Sequence, residues 1–190
     1  MGTVCPFLFF GGGLRTGPFS LEEKTMLRSP RMIAHAAIFA ALYVALTHFQ
    51  NLLLPGSATW AIQMRLSEAL CALAFFTPAA VPGLTVGCLV FNMTYGAALP
   101  LDPVVGSLAT ALATWGMYKL RKHPLPALLL PALSNGILVG WELSVYIGGG
   151  FWLNALYVAL GEAVVMLIFG STLSAVIRRR KLHQRLFGNS

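Results

Sequence analysis

The sequence predicts an all-α integral membrane protein with six transmembrane helices and both termini in the cytoplasm. Three observations carry that expectation. Hydrophobic residues make up 57% of the 190-residue chain and charged residues only 10%, with a mean hydropathy of +0.74, whereas soluble domains are about a quarter charged. The apolar residues fall into six stretches separated by proline, glycine or charge. On an alternating count of those stretches Arg28, Arg31, Lys119, Arg121, Lys122 and the run Arg178 to Lys181 share one side, and Arg65 lies on the other. The positive-inside rule makes the shared side cytoplasmic.

In chain order, residues 1–30 form a leader with a Gly11-Gly12-Gly13 run and an apolar patch too short to span. It lacks the basic start and cleavage pattern of a signal peptide. Met26 is a candidate true start, which intact-mass measurement of the native protein would test. The membrane domain covers residues 31–181. Its first span, 32–53, carries alanines at helical spacing: Ala36 with Ala40, Ala37 with Ala41, Ala41 with Ala45. Stripes of small residues let a neighbouring backbone approach, so this is either a docking face for another chain or packing within this one. Pro55-Gly56-Ser57 ends the helix, and Trp60 is an interface anchor.

The second span, 65–76, is followed by a charge-free break with Pro78, Pro82 and Gly83. The third, 84–99, has Asn92 and Tyr95 near its end. Pro100-Leu101-Asp102-Pro103 turns into the fourth, 104–118, which a basic cluster stops. The fifth, 126–147, holds Asn135, Glu142 and Tyr146. Gly148-Gly149-Gly150 turns it into the sixth, 151–177, with Asn154, Tyr157 and Glu162. Residues 182–190 form a polar cytoplasmic tail.

A charged side chain inside a bilayer costs about 2.5–3.5 kcal/mol on insertion scales and usually faces a partner, a cavity or a ligand. Arg65 and Glu68, three apart, share one helical face where the chain re-enters lipid. They are either the rim of a binding site or a helix-start pair in the headgroup zone. With the orientation above, Gln63, Arg65, Glu68, Asn92, Tyr95, Asp102, Glu142, Tyr146, Trp152, Asn154 and Tyr157 all sit at outer span ends, Glu142 about 8 Å below the end of its helix. Glu162 and Asn135 lie nearer mid-membrane. Carboxylates, amides and rings gathered in an outer cup suit a small, flat, polar ligand. The other reading is that Glu142 or Glu162 neutralises Arg65 or a backbone group.

Several classes are excluded. The net charge of +7 is spent at span ends rather than on a face with interleaved aromatics, which argues against nucleic acid. No GxxxxGK[ST], HExxH or GxSxG motif occurs. The histidines and the cysteines Cys5, Cys71 and Cys88 have no metal-ligand spacing, and Cys71 and Cys88 read as inert apolar residues. No metal or cofactor is expected in this chain.

The chain from about residue 26 to the Arg178 cluster resembles the QueT family of queuosine-precursor transporters. The resemblance rests on the segments 63–70 (QMRLSEAL), 75–84 (FFTPAAVPGL), 106–110 (GSLAT) and 151–162 (FWLNALYVALGE). It implies a six-helix bundle acting as the substrate-binding S component of an energy-coupling factor (ECF) transporter in the cell membrane. The substrate implied is a 7-deazaguanine, queuine or 7-aminomethyl-7-deazaguanine. A transmembrane T subunit and two ATPase subunits would consume the ATP. The stripe Ala36, Ala37, Ala40, Ala41 and Ala45 resembles the face that S components present to the T subunit. On position and chemistry, Glu68 and Glu142 are the leading carboxylates, with Arg65 and Asn154 as carbonyl or orientation partners. Trp152 and Tyr157 are stacking or lid residues, and Asn92 and Glu162 complete the substrate-binding set. A stand-alone carrier for another nucleobase or vitamin and a membrane-embedded enzyme remain as alternatives.

Overall fold

The computed structural model describes residues 29–57, 64–96 and 98–182. Most of the leader, Trp60, Gln63 and the tail beyond residue 182 lie outside them. Every described regular element is helical: α1 (Pro30–Leu53), a 3-10 helix (Leu66–Phe75), α2 (Ala80–Thr94), α3 (Asp102–Lys119), α4 (Pro124–Leu128), α5 (Leu130–Tyr146), α6 (Phe151–Val165), a π-helical turn (Met166–Gly170) and α7 (Ser171–Arg179).

Each apolar stretch has a helical counterpart, with differences that have physical causes. Three helices are long and apolar enough to cross a membrane by themselves: Pro30–Leu53, Pro124–Tyr146 and the continuous Phe151–Arg179. The stretch after Arg65 is ten residues of 3-10 helix. At about 2.0 Å of rise per residue it reaches about 20 Å, where an α-helix of equal length would reach about 15 Å. Ser67, Glu68, Ala69 and the run Cys71 to Phe75 are all buried in it. It is therefore the core of the bundle rather than a lipid-facing span. It packs against α1, α2, α3, α6, the π turn and α7. The third stretch stops as a helix at Thr94, five residues short of the expected end, and the fifth is divided between α4 and α5 at Leu129.

Around this centre, successive helices pack as α1·α2, α2·α3, α3·α5 and α5·α6. Two of these contacts are seams of small residues. A Cβ on Gly83 would lie 2.6 Å from the Ala36 carbonyl oxygen, and one on Gly87 3.0 Å from that of Ala40. The second seam sets Gly136 and Gly140 against Ala155 and Ala159, with a Cβ on Gly140 falling 2.6 Å from Ala155 Cα. Only a hydrogen fits at such distances, and the backbones gain close dispersion contact in return. The alanine stripe of α1 is thus divided. Ala36 and Ala40 meet α2 within the chain, the second of the two readings of the stripe, and are half-buried, while Ala37, Ala41 and Ala45 are exposed.

Large apolar side chains such as Ile38, Leu42, Leu108, Leu112, Leu153, Leu156 and Leu160 point outward. The inside holds an apolar core, with Phe39, Leu84, Phe91, Met117 and Met166 buried in it, alongside the buried polar residues. An apolar surface of this kind suits a solvent as apolar as leucine.

A buried acidic cluster as the candidate functional site

All four acidic residues among the described ones, Glu68, Asp102, Glu142 and Glu162, are buried. Arg65 is the only described lysine or arginine that is buried. Among the described residues, four buried carboxyl groups thus share the interior of a membrane-type bundle with one buried guanidinium.

The α1 side of the cluster is built from a polar column, Tyr43, Thr47, Gln50 and Asn51, on one face of an otherwise apolar helix. Gln50 clamps the start of the 3-10 helix: its Nε2 donates to the Met64 carbonyl at 2.5 Å, and its Oε1 accepts from the Leu66 N–H at 2.8 Å. Thr47 donates to Ser67 Oγ at 2.7 Å. Glu68 is then saturated. Tyr43 donates its hydroxyl to Oε1 at 2.5 Å, Thr110 of α3 donates to the same oxygen at 3.3 Å, and Cys71 donates its thiol to Oε2 at 3.1 Å. Arg65 reaches Cys88 Sγ at 3.6 Å and lies 5.7 Å from the centroid of the Phe91 ring.

On the α3–α5–α6 side the arrangement differs. Asn92 donates to the Asp102 carbonyl at 2.9 Å, leaving its own Oδ1 buried and without a partner. Asp102 Oδ2 accepts from the Leu99 N–H at 2.6 Å, closing the turn before α3. Neither oxygen of Glu142 receives a hydrogen bond, and nor does Oε2 of Glu162. The charged groups that act electrostatically on Glu142 include Asp102 and Arg65, and those that act on Glu162 include Glu68 and Arg65. Arg65 is therefore the shared neighbour of three glutamates. Among the described residues, the buried side-chain polar atoms lacking a partner are Asn51 Oδ1, Asn92 Oδ1, both oxygens of Glu142 and Glu162 Oε2. All are acceptors. A buried unsatisfied acceptor costs about 1–3 kcal/mol, and more when charged.

Of the residues expected at the site, Arg65, Glu68, Asn92, Glu142 and Glu162 come together in this interior. Asn135, one helical face with Glu142, is buried too. Asn154 instead donates to the Gly148 carbonyl at 3.0 Å, tying the start of α6 to a turn in which Gly148 and Gly149 take positive φ. Trp152 is 81% exposed and Tyr157 is also exposed, so the structure does not bring these two rings to the cluster. Asp102, expected at an outer span end, joins it, and Tyr43, Thr110, Cys71 and Cys88 do so without having been singled out. The polar residues at 43, 47 and 50, spaced three to four apart in an apolar span, were the legible signal for Tyr43. The two cysteines are polar partners here, not inert filling.

A family model described as QueT transporter matches residues 33–179, which is most of the chain. The chain belongs to the QueT transporter family. No curated protein and no solved structure matches it. QueT membership makes the protein a membrane transporter rather than an enzyme.

Proposed function

We propose that this QueT protein is the substrate-binding S component of an ECF-type importer, capturing a 7-deazaguanine queuosine precursor at the outer face of the cell membrane. In this reading six segments cross or enter the bilayer and both termini are cytoplasmic. A T subunit and two ATPase subunits supply the ATP-driven step. The exposed residues Ala37, Ala41 and Ala45 are the remaining candidates for the docking face.

The observation that carries the reading is the set of buried, unpartnered acceptors around one buried arginine. A deazaguanine edge offers two adjacent N–H donors beside a carbonyl. Glu162 can accept from the donors while Arg65 meets the oxygen, a pairing favoured by charge-assisted hydrogen bonds. Glu142 and Asn92 provide further acceptors, and Glu68 holds the helix that carries Arg65.

Calorimetry on the detergent-purified protein with queuine, 7-aminomethyl-7-deazaguanine, guanine and riboflavin tests the substrate. Tight binding of a deazaguanine alone is the expected result; binding of none of the four would overturn the assignment. Co-purification of tagged protein with a T subunit and ATPases tests the assembly.

A further inference from the structure

We propose that Asp102 and Glu142 form a dedicated subsite for a positively charged amine on the substrate, separate from the groups that read the base. The inference rests on the transport reading above and adds to it a charge requirement and a residue, Asp102.

Asp102 opens α3 and Glu142 lies in the last turns of α5. The two helices pack together there, with Val105 of α3 clustered against Val139 and Leu143 of α5. Asp102 precedes Val105 by one turn and Glu142 follows Val139 by one turn, so this contact brings the two acids to one level of the α3–α5 interface, where Asp102 is an electrostatic neighbour of Glu142. Two neighbouring acids give each other no donor unless one is protonated, and Glu142, with 0% of its surface exposed, receives none from any other described side chain. Beside them Asn92 directs a further unpartnered oxygen into the buried space while its amide nitrogen holds the Asp102 carbonyl.

The charge count points the same way. Arg65 is an electrostatic neighbour of Glu68, Glu142 and Glu162, so a single guanidinium is shared among them. Buried charges are tolerated when paired. The group that suits the Asp102–Glu142 side is therefore a compact cation with several N–H donors, which a primary ammonium provides with three. The base edge is left to Glu162 and Arg65.

The test compares 7-aminomethyl-7-deazaguanine with its neutral isostere 7-hydroxymethyl-7-deazaguanine, by calorimetry on the purified full-length protein. The ammonium compound is expected to bind about 100-fold more tightly, the scale of a buried charge pair. Asp102→Asn and Glu142→Gln are each expected to bring the ratio down to a few-fold, while Glu162→Gln weakens both compounds and preserves it. Should Asp102→Asn fail to fold, Glu142→Gln carries the test, because it gives up no hydrogen bond from the protein. Equal affinity of the two compounds for the unmodified protein would overturn the subsite and leave the deazaguanine assignment standing. Failure of both to bind would overturn that assignment itself.

Discussion

Glu68 and Glu142 are both fully buried, and the protein treats them in opposite ways. Three donors from three elements, Tyr43, Thr110 and Cys71, converge on Glu68. None reaches Glu142. A buried carboxylate with its donors in place ties helices together, and one without them is a cost that folding leaves uncompensated. Equal burial thus separates a carboxylate held by the fold from one that the fold leaves without a donor.

The contrast can be broken by substitutions that change charge and little else. Glu142→Gln is expected to lower substrate affinity about 100-fold or more, because a transition-state-independent contact to a desolvated charge is worth 2–5 kcal/mol, and to leave the melting temperature in detergent unchanged or raised. Titration calorimetry and thermal unfolding of the same preparation read both effects. Glu68→Gln should do the reverse in stability. Hydrogen bonds to a charged group contribute about 1.5–3 kcal/mol each, and for a chain of this size each kcal/mol moves the midpoint by about 2–4 °C, so a fall of about 5–10 °C is expected. If Glu68→Gln unfolds no earlier than the unmodified protein while Glu142→Gln does, the two roles are exchanged. The smallest effect is assigned to Trp152→Ala. With most of its ring in contact with the surroundings rather than the protein, affinity should change less than about twofold; a loss of tenfold or more would restore the ring to the site as a lid.

Much of this was legible in the sequence, for identifiable reasons. The first helix, expected over residues 32–53, is found at Pro30–Leu53, because Pro30 favours a helix start and Pro55-Gly56 a stop. The glycine run at 148–150 turns α5 into α6 where expected. The acidic residues announced themselves by their cost in an apolar chain. What was not legible depends on neighbours distant in sequence. Whether an alanine stripe meets Gly83 and Gly87 is decided by tertiary packing: Ala36 and Ala40 do, and Ala37, Ala41 and Ala45 are left exposed. Glu68 and Glu142 look alike as letters; only the positions of Tyr43 and Thr110 distinguish them. The overwinding of residues 66–75 leaves no periodic signature either, since small residues fill most of it and burial is nearly complete on every side.

That overwound segment also limits how the chain can vary. An α-helix drifts, so a residue added or removed is absorbed by a rotation of about 100° spread over a face that is already changing. In a 3-10 helix side chains three apart eclipse one another, and Glu68 and Cys71 show it by sharing a hydrogen bond one turn apart. Positions 68, 71 and 74 therefore form one straight column. Deleting a single residue between Arg65 and Phe75 would turn everything on one side of the cut by about a third of a circle, exchanging the polar column for an apolar one at every level at once. Substitutions along this rod are tolerable one at a time, but its length is a fixed dimension of the protein.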